Sequence, residues 1–220
     1  MAGRSQKLRA KNPRQAPFDR ELAIQTLSKK DKKLAKLIAK VGPFNLEPEP
    51  FNDTFEHLLE SIVYQQLTGK AAATIYTRVK GLFGSDKHPS PQQIIKCSIE
   101  ELRSAGLSNS KALAIKDLAD KTHQGHIPTL AELHLLSDDE IIEKLTTVRG
   151  IGPWTVHMLL IFGMLRPDVL PATDYGVRKG FALTYGKEDL PTTKELVSHA
   201  ECWRPYRSVA SWYMWRALDS

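Results

Sequence analysis

Apolar residues recur along this chain at three- and four-residue spacing, which predicts helices nearly throughout. Over 53–66, DTFEHLLESIVYQQ sets Phe55, Leu58, Leu59, Ile62 and Val63 on one face behind an Asp53/Thr54 start, the pattern of a capped amphipathic helix. The stretch LTGKAAATIYTRVKGLFG restarts a helix after Gly69, with Ala71, Ile75, Val79 and Leu82 as its predicted buried stripe. Further helices are expected at about 98–105, 110–122, 138–146, 153–165, 175–185, 193–202 and 206–217, good to a few residues at each end. Connectors punctuate them at Gly84 to Pro91, Gly106 to Asn109, Gly125 to Pro128 and Arg166 to Thr173. No stretch alternates with period two, so the predicted fold class is all-α.

One pair of helices is joined unusually. DDEIIEKLTTV, from Asp138, turns Ile141, Ile142 and Leu145 inward, and the helix at 153–165 has Pro153 suitably placed in its first turn. Between them lie Arg149, Gly150, Ile151 and Gly152. The two glycines permit positive φ and leave backbone N–H groups uncovered at a helix start, where the dipole also favours an anion. Ile151 is expected to point inward and pin the turn. Two accounts stand at this point, a packing hairpin that uses glycine for its turn and a hairpin whose bare backbone seats a phosphate. Downstream, RPDVLPATDYGVRKG, from Arg166, sets a proline-bounded loop before a new helix, with Asp174 at its N-terminus. By residue type Asp174 is an N-cap, and Asp168, following Pro167 in a turn-forming context, is structural.

Composition narrows the classes. With 220 residues, 41% hydrophobic and 25% charged, the chain can bury a core as one compact unit or two small lobes. It has no run of about 18 apolar residues for a membrane span, and its N-terminus, MAGRSQKLRAKNPRQA, lacks the apolar stretch of a secretory signal. Only Cys97 and Cys202 occur, too few for a disulfide framework, a four-cysteine zinc site or an iron–sulfur cluster, and both are expected to be reduced. Of the net charge of +6, five units come from Arg4, Lys7, Arg9, Lys11 and Arg14. The chain therefore divides into a basic tail, 1–16, expected to be disordered, and a nearly neutral helical domain, 17–220. Charge alone does not point to nucleic acid. The seven histidines, His57, His88, His123, His126, His134, His157 and His199, lack ligand spacing and are expected at the surface or in the core.

Five blocks in order, IVYQQLTGKAA, AGLSNSKALAIKDLA, LTTVRGIGPWTVHMLL, RPDVLPATDYGVRKG and WRPYRSVASWYMW, change the picture. Across about residues 50–217 the chain resembles the helix-hairpin-helix DNA glycosylases, specifically their alkylpurine, 3-methyladenine DNA glycosylase II branch. The resemblance implies two small helical lobes with the active site in the cleft between them. It implies base excision repair, in which an alkylated purine is flipped from duplex DNA and its N-glycosidic bond hydrolysed. The alternative from another class is a paralogue that binds alkylation damage but turns over weakly.

Residue by residue, the resemblance assigns Asp174 as the catalytic carboxylate that stabilises positive charge at C1′ and orients water. Trp154, Trp215, Tyr175 and Met158 match the base pocket, Met158 standing where some relatives have tyrosine. Trp203 and Trp212 are expected to be core residues. Trp154 also occupies the position at which some relatives carry a nucleophilic lysine. An indole cannot form a Schiff base, so a monofunctional enzyme without lyase activity is implied. Gln66 and Leu67 match the duplex-wedging turn. Phosphate contacts are expected from Gly150 and Gly152, with Thr155, Lys70 and Lys111. The backbone carbonyls of Thr146, Val148 and Gly150 match a hairpin site for a sodium or potassium ion, an expectation resting on the resemblance alone. No cofactor is required for the chemistry and no iron–sulfur cluster is expected. The partner is damaged double-stranded DNA, the state monomeric, with no membrane, and the location nuclear in a eukaryote, otherwise cytoplasmic.

Overall fold

The computed structural model describes residues 17–49, 51–84 and 88–219; the basic tail lies outside them. No strand occurs among the described residues, as predicted. The described residues form thirteen α-helices, in order α1 (Arg20–Lys30), α2 (Lys32–Val41), α3 (Thr54–Tyr64), α4 (Gly69–Gly81), α5 (Pro91–Lys96), α6 (Ile99–Ser104), α7 (Asn109–His123), α8 (Leu130–Leu133), α9 (Asp138–Leu145), α10 (Pro153–Met158), α11 (Tyr175–Tyr185), α12 (Thr193–Ala200) and α13 (Arg207–Arg216). A π-helical turn, Leu159–Gly163, continues α10, and a 3-10 turn, Glu201–Trp203, follows α12. The expected helix at 153–165 is thus an α-helix that widens into a π turn, a form that often marks functional sites. None of the described helices is long and apolar enough to cross a membrane.

Most helices begin where a short polar side chain can satisfy the orphan amides of the first turn. Ten of the thirteen have a side-chain N-cap, from Asp19, Asp31, Asp53, Ser90, Ser98, Ser108, Thr129, Ser137, Asp174 and Thr192. Five of these are reciprocal capping boxes with Gln or Glu three residues on. The helices without one are α4, α10 and α13.

The chain forms two compact units. The first joins Met1–Pro50 to Ile161–Ser220 and holds α1, α2, α11, α12 and α13. Its core gathers Leu27, Leu34, Ile38, Phe181, Trp203, Val209, Trp212, Tyr213 and Met214, so Trp203 and Trp212 are core residues as expected. Helices α11 and α13 approach so closely that a Cβ on Gly180 would fall 1.8 Å from the Met214 carbonyl oxygen. Asp168 accepts from Arg204 at 2.7 Å and from Arg207 Nε at 2.9 Å, the structural role its context suggested.

A hub in this unit links elements far apart in sequence. Asp31, 7% exposed, accepts at Oδ1 from the amides of Lys33 and Leu34, capping α2. At Oδ2 it accepts from Tyr185, from His199 at 2.9 Å and from the Trp203 indole at 3.0 Å. One ligand atom each of Asp31, His199 and Cys202 lies within 4.8 Å of the others. Since both carboxylate oxygens already serve as acceptors, the cluster is a hydrogen-bonded core element. Cys202 and Cys97 are free thiols, and burial pushes both up from their ordinary pKa.

The second unit, Phe51–Leu160, packs α3 and α5 on α7, and α9 against α10. All five apolar residues predicted for α3 are buried. In α4 the predicted stripe is displaced by one residue: Ala72, Tyr76 and Val79 are buried, Ile75 is half-buried, and Ala71 and Leu82 are exposed. Tyr76 decides the rotation, because its ring fills the interior while its hydroxyl reaches His88 Nδ1 at 2.5 Å, a partner that periodicity does not reveal.

Candidate functional site

The second unit contributes a hairpin. Helix α9 buries Ile141 and Leu145, with Ile142 half-buried. The chain then turns at Gly150 with φ +79°, and an added Cβ there would meet the Ala114 Cβ at 3.3 Å. Ile151 is 4% exposed and donates its N–H to the Val148 carbonyl at 3.0 Å, pinning the turn as expected. Gly152 differs from Gly150: its φ is −100°, and a Cβ would meet nothing within 4 Å. It is the N-cap of α10 and supplies no side chain to cap the helix, and Pro153 follows at the first helical position. Only the first glycine is required by backbone conformation; the second leaves the helix start bare.

Helix α7 braces this turn. Asp117 accepts from the Arg149 amide and from Lys121, both at 2.7 Å, and Lys121 also donates to the Thr147 carbonyl at 2.6 Å. Burial pushes the Asp117 carboxyl up, but these hydrogen bonds outweigh it and hold it below its ordinary value.

The matched wedging turn belongs to the same unit. Gln66 has φ +57°, and both Gln66 and Leu67 are exposed, Leu67 by 39%. The preceding residue anchors them: Gln65 Nε2 donates to the Gly150 carbonyl at 2.9 Å. Lys111 Nζ donates to the carbonyls of Val63 and Gln65, each at 2.7 Å. The ammonium expected to meet phosphate instead caps the C-terminus of α3, where helix carbonyls attract a cation, and its burial lowers its pKa. Lys70 is exposed in the first turn of α4, whereas Thr155 is buried. Trp154 is 45% exposed in the first turn of α10, unlike the core tryptophans, and Met158 is half-buried.

The first unit contributes the carboxylate. The Pro171 carbonyl accepts the Asp174 N–H at 2.9 Å, closing the proline-bounded loop so that Asp174 becomes the N-cap of α11. Asp174 Oδ1 accepts from the Val177 amide and from the Trp215 indole Nε1, both at 2.8 Å. Tyr175, next to it, is 62% exposed. The Phe162 ring lies 5.4 Å from Trp215 at an interplanar angle of 30°.

Sequence reasoning missed Gln65, Asp117 and Lys121. The i, i+4 spacing of Asp117 and Lys121 was an available signal; Gln65 carried none.

Residues 59–205 match the family model of the HhH-GPD superfamily base excision DNA repair proteins. The chain is 37% identical over 196 residues to DNA-3-methyladenine glycosylase 1 of Schizosaccharomyces pombe, covering 89% of this chain and 85% of that protein. It is 31% identical to an alkylbase DNA glycosidase-like protein of the same yeast, covering 90% and 93%. Among solved structures, the S. pombe 3-methyladenine DNA glycosylase in complex with abasic DNA superposes with a TM-score of 0.78 at 36% identity, covering 89% of this chain and 95% of that one. A DNA-3-methyladenine glycosidase from Bacillus halodurans gives 0.79 at 36% identity, covering 89% and 88%. With the matched hairpin, proline-bounded loop and aspartate in place, the chain belongs to the HhH-GPD superfamily, in the alkylpurine branch that contains the DNA-3-methyladenine glycosylases.

Proposed function

We propose that this protein is a monofunctional DNA glycosylase of base excision repair that removes alkylated purines of the 3-methyladenine and 7-methylguanine type. The observation that carries the reading is the Asp174 carboxylate, set at a helix start and held there by two hydrogen bonds. In the reaction the bond between the purine nitrogen and C1′ breaks, and its electron pair leaves with the base. Positive charge builds on the sugar, where a fixed carboxylate stabilises it. Water then forms the new bond to C1′, giving up its proton, and an abasic site remains. An alkylated purine is already cationic and departs with little help from an acid. The same charge suits stacking on an indole, and the exposure of Trp154 supports this role there.

The hairpin serves the DNA backbone. Amides at Gly150 and Gly152 would be the donors to a phosphate, and Leu67 would enter the base stack, a reading supported by its exposure and by the hydrogen bonds that brace Gln65 beside it. A sodium or potassium ion at the carbonyls of Thr146, Val148 and Gly150 would have to share two of them. Val148 already accepts from Ile151, and Gly150 from Gln65.

The test is release of free bases from methylated duplex DNA at neutral pH by wild type and Asp174→Asn. Release by wild type alone, with strand breaks appearing only after alkali, supports the reading. Binding without release by either protein supports the damage-binding alternative, and breaks before alkali would refute monofunctional chemistry.

A further inference from the structure

The indole of Trp215 meets Asp174 edge-on. Its Nε1–H is directed at Oδ1, the oxygen that also accepts the Val177 amide. The Phe162 ring packs near the indole, and the Phe162 carbonyl is in turn held by the Glu49 amide at 2.9 Å. This approach needs space that one residue supplies. A Cβ on Gly176 would lie 2.8 Å from Trp215 Cδ1, 3.0 Å from its Nε1 and 3.1 Å from Asp174 Oδ1. Gly176 has no left-handed φ, so glycine is required here for clearance and not for backbone conformation.

A carboxylate can rotate broadly about its last side-chain torsion unless donors hold its oxygens. A charge-assisted donor from another helix restricts that rotation. We propose that Trp215 is a positioning residue that acts on the reaction through Asp174, and that Gly176 is the clearance that permits it. The proposal rests on the glycosylase reading of Asp174. It differs from assigning Trp215 to base stacking, since a stacking ring would need only its face, whereas a positioning indole needs its N–H.

Two readouts separate these roles. The first is the Trp215 indole 15N–1H signal, assigned by its loss in Trp215→Phe. It should shift in Asp174→Asn, whose neutral amide oxygen is a weaker acceptor, and shift and lose protection from exchange in Gly176→Ala. A signal indifferent to both overturns the proposal whether or not any base is released. The second is single-turnover excision from methylated duplex, set against affinity for an abasic duplex. Trp215→Phe keeps an aromatic face and removes the donor. Its excision rate should fall roughly ten- to hundredfold, the worth of a hydrogen bond to a charged group, with affinity held within about twofold. Gly176→Ala should lose rate similarly, and the double variant should be no slower than the slower single one, because both changes remove the same contact. A wild-type rate in Trp215→Phe overturns the proposal, as do equal losses of rate and affinity, which would mark a stacking role. If wild type releases no base, the glycosylase reading fails instead, and the indole signal alone decides whether Trp215 orients Asp174.

Discussion

Asp31 and Asp174 are alike in local chemistry. Each is the N-cap of a helix in the first unit, and each accepts an indole N–H, from Trp203 and Trp215 respectively. They differ in what surrounds them. Asp31 is buried, and both its oxygens are engaged, one by two amides and the other by Tyr185, His199 and Trp203. Burial alone would push its carboxyl up, but the hydrogen bonds from His199, Tyr185, the Leu34 amide and Trp203 together outweigh it and hold the pKa well below the ordinary range. Asp174 is half-buried, takes the Val177 amide and the Trp215 indole as donors, and is adjoined by exposed Tyr175. Capping geometry therefore does not separate Asp31 from the aspartate proposed to react. What separates them here is burial, Asp31 being buried and Asp174 half-buried.

Substitution by asparagine should separate the two most sharply. Asn caps a helix as well as Asp does, so Asp174→Asn should melt near the wild-type temperature, while base release falls by about 10²–10³-fold, the scale of losing an electrostatic transition-state contact. At Asp31 the outcome should reverse. Asp31→Asn should cost about 2–4 kcal/mol in denaturant unfolding, because it breaks a buried charged network. The sign of its pH dependence follows from the depressed pKa. The ionised hub stabilises the fold above the unfolded-state value of about 3.9, and this contribution is lost as pH falls below it. The gap between wild-type and variant thermal melts should therefore be widest near pH 7 and begin to narrow only below about pH 4.

The tryptophans and glycines extend the contrast at smaller scale. Trp154→Ala, at an exposed ring, should slow base release by an amount equivalent to roughly 0.5–2 kcal/mol, with less effect on duplex affinity. Equal losses would remove Trp154 from the pocket. Gly152→Ser should give the smallest change and an opposed pair of signs. Its φ is ordinary and the Cβ has room, so a serine cap should stabilise the fold by a few tenths of a kcal/mol. The same hydroxyl would cover the amides of α10, and affinity for DNA should weaken.

Much of this was legible in sequence where the signal is local. The start of α3 and its five buried residues, the inward Ile151 and the core positions of Trp203 and Trp212 all follow from spacing and residue type. Helices α1 and α2 differ in how strongly their apolar spacing marks them. In α1 only Ala23 and Leu27 are buried, too sparse a stripe to register, whereas α2 carries a clear Leu34, Leu37, Ile38 face that was available. Asp174 could be assigned a reaction only through the five matched blocks, since by itself it was an N-cap. Lys111 looked like a phosphate ligand because its charge was visible and the carbonyls it holds, Val63 and Gln65, lie far away in sequence. Gly176 depends on a ring on another helix, which no local pattern encodes.

The division of the chain has a consequence for its biogenesis. The second unit is one continuous segment, and its short helices α5, α6, α8 and α9 carry capping boxes that mark their starts locally. Its own contacts lie within that one segment and do not wait for a later part of the chain. The first unit is interrupted: α1 and α2 emerge early, but α11 and α13, against which they pack, come on the order of a hundred residues later. During synthesis the Leu34, Leu37, Ile38 face of α2 has only α1 to pack on until the C-terminal part of the first unit has been made.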